Sequence, residues 1–328
     1  MSGTLGSGQP GCCCGSARPV GAAAAEEPVP PEVTAAPAAT SAQVGLLALP
    51  GGEFAMGDAH GDGDVADGEA PRHAVRLSPF SIGATTVTNT EFAAFTAATG
   101  YVTTAEHYGS SAVFHLLLGP QSQVLGRDPQ IPWWCEVAGA HWAAPEGAGS
   151  DIEDRWDHPV VHVSHADALA YCAWSSTRLP SEAEWEFAAR GGLNGRRYPW
   201  GNRLLGSSDT PTESVWPCNI WQGEFPSRNT AADGYTGTAP ADAYAPNGYG
   251  LYNTVGNVWE WCADYFDPAY YPRSPEQDPP GPAEGQRRVM RGGSFLCHDS
   301  YCNRYRVAAR SSNTPESSAS NIGFRVAR

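Results

Sequence analysis

The chain predicts an α+β fold with low regular secondary structure, rich in loops. Three features carry that reading. The 328 residues hold 37 glycines, 28 prolines and 11 tryptophans, and only 17% are charged. That is a composition of long ordered loops more than of helices or a regular sheet. Helix start and stop signals converge at three places, and after about residue 195 the regular patterns fade into Gly, Pro, Asn and aromatic residues. Loops of that length are either disordered or functional. Trp216, Trp221, Trp259 and Trp261 argue for order, held by something other than secondary structure.

The elements follow in order. Residues 1–42 form a Gly-, Ala- and Pro-rich tail, read as unstructured, without a basic start and apolar core of a secretory signal. Cys12, Cys13 and Cys14 lie in it and are set apart from the fold. A single domain is expected over 43–328. Gly45 to Gly57 reads as strand, turn and strand, and Pro79 to Gly83 as a short strand. The first helix starts at Thr88, with Glu91 completing a capping box, and stops at Gly100; Phe92 and Phe95 mark its buried face. The second starts near Ser164 and turns Ala168, Tyr171, Cys172 and Trp174 inward. The third starts at Ser181, with Glu184 as its capping acid, and ends before Gly191.

Charge and composition exclude several functions. The formal net charge is −15, so nucleic acid is not an expected partner. All 20 basic residues are arginine, which rules out a Schiff-base lysine, a lysine general base and a Walker-type phosphate loop. No apolar run reaches the roughly 18 residues of a membrane span, so no membrane partner is expected.

Chemistry concentrates between Arg291 and Cys302, where two cysteines stand five apart with Ser294 and His298. Cys297 and Cys302 suit a small-loop disulfide, a zinc site lacking its second ligand pair, or a two-thiolate copper(I) site. Spacing alone leaves the three open. Ser294 after two glycines reads equally as a turn residue.

The stretches Gly51-Gly52-Glu53-Phe54-Ala55-Met56-Gly57, Val87-Thr88-Asn89-Thr90-Glu91-Phe92, His158-Pro159-Val160-Val161-His162-Val163-Ser164, Arg178 to Gly192 and Gly256-Asn257-Val258-Trp259-Glu260-Trp261 resemble the sulfatase-modifying factor family. So does Arg291-Gly292-Gly293-Ser294 through Thr314, which is similar to the active-site signature of its catalytic, formylglycine-generating branch. The resemblance spans about residues 44–328 and implies that family's calcium-stabilised fold, with C-type-lectin-like topology. It implies a copper-dependent oxidase that uses O2 and a thiol reductant. The enzyme would convert the cysteine of a Cys-x-Pro-x-Arg segment in an unfolded sulfatase to Cα-formylglycine. By the same resemblance Cys297 and Cys302 bind copper(I), Ser294 is the active-site serine, and Trp261, Tyr301, Arg304, Asn313 and His298 are substrate-side candidates. Two calcium ions are implied. One is matched by Asn219, Ile220, Asp233 and Tyr235, the other by Val255, Gly256, Asn257, Val258 and Glu260, in Gly-rich loops whose carbonyls and carboxylates suit calcium.

The chain departs from vertebrate relatives at their structural disulfides. Cys172 faces Val326, and Ala189 faces Val307, at the corresponding places. Cys135, Cys172, Cys218 and Cys262 then read as isolated thiols, which favours a reducing compartment, the cytoplasm. A monomer is the expected state. The alternatives are a non-catalytic relative that binds a peptide on the same scaffold, which has no need of both cysteines, and an iron-dependent sulfoxide synthase. The latter requires a His-x3-His-x-Glu set that residues before Val44 do not supply.

Overall fold

The computed structural model describes residues 17–18, 45–205 and 216–328. The expected tail lies outside the described residues except at Ala17 and Arg18.

Two short antiparallel pairs open the fold: β1 (Leu46–Leu49) on β4 (Phe80–Gly83), and β2 (Gly52–Met56) on β3 (His73–Leu77). The expected strand, turn and strand are present, but each strand finds a different partner. The turn needs glycine: Gly51 has φ +67°, and a Cβ there would come within 2.3 Å of the Leu77 carbonyl oxygen.

The three predicted helices form with the predicted caps. They are α1 (Asn89–Thr99), with N-cap Thr88 and Gly100 beyond its end, α3 (His165–Trp174), with N-cap Ser164, and α4 (Glu182–Arg190), with N-cap Ser181 and Gly191. Each closes a capping box, through Glu91, Asp167 and Glu184. A one-turn helix, α2 (Thr104–Tyr108), has the same device in Thr103 and Glu106; it escaped the sequence reading because so short a helix has no periodicity. It leads into β5 (Ser110–Phe114), the edge of the sheet β5-β7-β6, with β6 (Val124–Arg127) and β7 (Trp134–Ala138).

The region beyond residue 195 is more regular than its sequence. A small pair, β8 (Gly223–Glu224) and β9 (Arg228–Asn229), precedes the central sheet. That sheet has the order β12-β11-β10-β13, from β10 (Trp259–Tyr265), β11 (Arg288–Arg291), β12 (Arg310–Asn313) and β13 (Ile322–Phe324). It is buried on both faces. Trp259, Trp261, Met290, Ile322 and Phe324 pack with Tyr171 of α3 on one side, while Cys262 and Val289 meet Trp185 and Ala189 of α4 on the other. Two-sided burial removes the alternation that marks a strand with one wet face.

Buried arginines tie this sheet to α4 and to the loop before β3. Glu182 accepts from Arg291 Nη1 (3.0 Å) and from Arg310 Nε (2.6 Å) and Nη2 (2.9 Å). Glu186 pairs with Arg190 and Arg291. Burial disfavours its charge, but Arg190 and Arg291 beside it hold the carboxyl below its ordinary pKa. Arg291 is therefore clamped by two acids one helical turn apart, immediately before Gly292.

Candidate active site

After Arg291 the chain turns sharply through Gly292 and Gly293, both at positive φ. A Cβ on Gly293 would sit 2.7 Å from the Arg304 carbonyl oxygen, so the outgoing and returning arms of the segment approach closely only with glycine there. Ser294 follows, fully buried. Its Oγ accepts from Asn321 Nδ2 (2.9 Å) and Leu296 N–H (3.3 Å), and its own N–H points at Cys297 Sγ (3.4 Å). Two accepted bonds fix the oxygen and leave the hydroxyl proton to be donated.

A tight turn follows between the two cysteines. The His298 carbonyl accepts from the N–H groups of Tyr301 (3.0 Å), Cys302 (2.9 Å) and Asn303 (3.2 Å), wrapping the chain about one oxygen. Asn303 takes positive φ to turn the chain out again. Cys297 is buried, Cys302 half-buried against the same hydrophobic cluster, and neither is in a disulfide. The Cys297 carbonyl accepts from Trp221 N–H (3.1 Å). Beside the pair stands an aromatic wall. Tyr301 stacks on Phe225 (4.4 Å between centroids) and meets Trp133 edge-on (5.3 Å), and Phe225 leans on Phe114 and Trp221.

The remaining thiols differ. Cys135, Cys172, Cys218 and Cys262 are buried, and burial raises the pKa of each, that of Cys172 to about 12. They stay protonated and unreactive at neutral pH. Cys172 shares a cluster with Val326, as Ala189 does with Val307.

The substrate-side candidates divide. Tyr301 is in the aromatic wall, and His298, a partly exposed residue, bonds Ser300 Oγ through Nδ1 (2.7 Å) at the tip of the turn. Asn313 is buried at the end of β12, its Oδ1 accepting from Ser317 Oγ (3.1 Å) and Thr314 N–H (2.9 Å). Arg304 is engaged elsewhere: Asp67 holds its guanidinium at 2.6 and 3.0 Å. Trp261 presents no face to a peptide; it is fully buried, and its Nε1 donates to the Val163 carbonyl (3.1 Å). The sequence reading passed over Trp133, Phe225, Phe114 and Asn321, which lie far from the cysteines in sequence. An aromatic count marks such residues as core and gives no hint of which core they line.

The first calcium set does converge. Asp233 accepts from Ile220 N–H (3.1 Å) and Tyr235 N–H (3.1 Å), and Gln222 Nε2 bridges its carboxylate (2.8 Å) to the Ile220 carbonyl. Asn219 Oδ1 is buried without a hydrogen-bond partner. An orphaned acceptor on the residue before Ile220, whose own N–H and carbonyl meet Asp233 and Gln222, adds to oxygen donors of the kind a hard cation takes. The second set is more fully occupied. Glu260 is paired with Arg325 (2.5 and 2.7 Å) and accepts from Trp185 Nε1 (2.7 Å). Asn257 exchanges hydrogen bonds with Ala239 and accepts from Asn219. Val255, Gly256 and Val258 surround that turn, with Gly256 N–H bonded to the Gly292 carbonyl (2.9 Å). Among the described residues no group of three or more His, Cys, Asp or Glu side chains is arranged to hold a metal ion. No helix among them is long and apolar enough to cross a membrane.

Comparison with known proteins gives the family. Residues 32–328 match the sulfatase-modifying factor enzyme 1-like domain. The formylglycine-generating enzyme of Streptomyces coelicolor is 62% identical over 93% of this chain and 94% of its own length. That of Thermomonospora curvata is 58% identical over 86% of this chain and 93% of its own. Among solved structures, PvdO from Pseudomonas aeruginosa superimposes with a TM-score of 0.62 at 26% identity, covering 86% of this chain and 93% of that one. A family domain matched over residues 32–328, with relatives this similar along nearly their full lengths, shows that the chain belongs to the sulfatase-modifying factor family, as a formylglycine-generating enzyme.

Proposed function

We propose that the chain converts the cysteine of a Cys-x-Pro-x-Arg segment in an unfolded sulfatase to Cα-formylglycine with O2, and that copper(I) is held by Cys297 and Cys302. The observation that carries the reading is the local geometry of the segment: a turn about the His298 carbonyl lies between Cys297 and Cys302, both pack with one hydrophobic cluster, and the Ser294 N–H points at Cys297 Sγ (3.4 Å). Two soft thiolates in an apolar surround fit a monovalent d10 ion that accepts low coordination. When bound, copper would supply the one-electron reactivity toward O2 that oxidation at a Cβ–H needs. The chain's own residues do the rest. Asn321 and Leu296 fix the Ser294 oxygen, and its hydroxyl supplies a proton at that point. Tyr301, Phe225 and Trp133 keep water from the reacting thiol and give an extended peptide a flat apolar face. Overall the substrate CH2–SH becomes CHO, O2 is reduced, a thiol reductant provides the two further electrons, and sulfide and water leave.

The same reading places calcium at Asn219, Ile220, Asp233 and Tyr235, where it would brace the loop whose Trp221 holds the Cys297 carbonyl. A second ion at Val255, Gly256, Asn257, Val258 and Glu260 would have to share Glu260 with Arg325 and Trp185. The isolated positions of Cys135, Cys172, Cys218 and Cys262 support a reducing, cytoplasmic location.

The test is direct. Copper-loaded protein, air and a thiol reductant should convert a Cys-x-Pro-x-Arg peptide, read by mass spectrometry as exchange of thiol for aldehyde. Cys297→Ala and Cys302→Ala should stop conversion while leaving thermal unfolding close to that of the parent. An unchanged peptide with the parent protein would refute the proposal. Retained conversion in both variants would refute the role of the pair.

A further inference from the structure

Far from the domain in sequence, Arg18 is seated against it. Its N–H donates to Ser317 Oγ (3.1 Å), and its carbonyl accepts from Thr314 Oγ1 (3.2 Å). The guanidinium lies over the Tyr108 ring (4.2 Å), donates to the Ser110 carbonyl and pairs with Glu136 (3.6 Å). Only 12% of its side chain is exposed. Tyr108 is itself held by Glu316 (2.8 Å), and Ser110 Oγ donates to Glu136 (2.5 Å). An aromatic face, a carbonyl and a carboxylate around one guanidinium make a site shaped for arginine. Backbone bonds on both sides of the residue are those an extended peptide makes.

The position of this site matters. Arg18 sits at the Ser110 end of β5, and the opposite end, Phe114, leans on Phe225, which stacks on Tyr301 beside Cys302. Five residues of strand separate the ends by about 14 Å. A substrate cysteine and the arginine four positions after it span about 13 Å when extended. Ser317, which receives the Arg18 N–H, in turn donates to Asn313, a residue expected on the substrate side.

The tail has the matching spacing. Cys14-Gly15-Ser16-Ala17-Arg18 places a cysteine four positions before the arginine, with serine where the substrate motif has proline. We propose that the site around Tyr108, Ser110 and Glu136 takes the substrate's arginine and that Arg18 is its intramolecular occupant, so that Arg18 competes with the substrate's arginine for it. This rests on the proposed peptide-cysteine substrate. A segment tethered in the same chain acts at an effective concentration on the order of millimolar. If the subsite holds the segment with an affinity of roughly 0.1 mM, the tether weakens binding of a free peptide about tenfold.

The experiment compares the full chain with its Arg18→Ala variant. A fluorescent Cys-x-Pro-x-Arg peptide, its cysteine replaced by serine to prevent reaction, is titrated by anisotropy. The variant should bind it several-fold more tightly, and KM for the reactive peptide should fall equally with kcat unchanged. Replacing the probe's arginine with alanine should abolish the gain. A synthetic peptide of residues 11–20 should displace the probe from the variant, and the same peptide with Arg18→Ala should not. Equal affinities of parent and variant, or a gain that survives loss of the probe's arginine, would overturn the inference. Because binding is read without turnover, failure of conversion by both proteins would count against the proposed reaction instead.

Discussion

Asp264 shows how strongly a single buried group is tuned here. It stands buried on β10, and its carboxylate accepts from the Glu182 N–H at the start of α4 (2.7 Å). Burial first, and then the charge of Glu182, push its pKa up to about 7. Its folded pKa lies above the unfolded value of 3.8, so folding takes up a proton. The stability it contributes is fully present below about pH 4 and is lost as pH rises through 7. The ceiling is about 4 kcal/mol. Asp264→Asn keeps the acceptor for Glu182 and removes the titration. Its melting temperature should fall less than the parent's between about pH 5 and pH 8. Parallel curves for the two proteins would refute the assignment. His162 and His165 act in the opposite direction. Burial lowers both to about 3, so the stability that they contribute is present above their unfolded pKa of 6.5 and lost as pH falls toward 3.

At the scale of elements, α4 is the part that aims the active segment. Its capping box sets where the helix starts, and its Glu182 and Glu186 clamp Arg291. Arg291 is fully buried, so its removal leaves two carboxylates without part of their counter-charge. Arg291→Ala should cost about 3–5 kcal/mol in chemical denaturation. Arg291→Lys should recover only part of this, because one ammonium cannot serve two carboxylates in the geometry of a planar fork. A loss under 1 kcal/mol on alanine substitution, on the scale of a surface ion pair, would show that the clamp contributes little. The helix caps were readable from Thr88, Ser164 and Ser181 because capping is local chemistry: one side chain and a backbone N–H three residues away. The clamp was not readable, since Arg291 stands more than a hundred residues after Glu182 and nothing in either neighbourhood specifies the other.

For the whole molecule, the question is what orders so much irregular chain. Buried ion pairs do part of it: Arg304 with Asp67 and Arg306 with Glu69 bind the active segment to the loop before β3, and Arg325 with Glu260 binds β13 to β10. The proposed calcium at Asn219, Ile220, Asp233 and Tyr235 would do another part. If it binds there, a chelator should lower the melting temperature. Free calcium at a hundred times its dissociation constant should restore about 2.7 kcal/mol. Asp233→Ala should abolish both responses. A melting temperature indifferent to chelator would remove calcium from the account. The central sheet was missed in the sequence because Trp259, Glu260, Trp261 and Cys262 are all buried, and a strand covered on both faces loses its alternation.

The sequence by itself determined where three of the helices start, the family, and the segment from Arg291 to Cys302 as the place where chemistry concentrates. These rest on neighbours within a few residues, where side-chain type and backbone hydrogen bonding are coupled directly. Only the tertiary structure decided which side chains stand around that segment. It placed Asn321 on Ser294 and Phe225 on Tyr301, gave Arg304 to Asp67, put Trp261 in the core, and seated Arg18 beside Glu136. Such partners are chosen by the packing of distant elements and by the cost of burying a charge unpaired, and neither is written in local sequence.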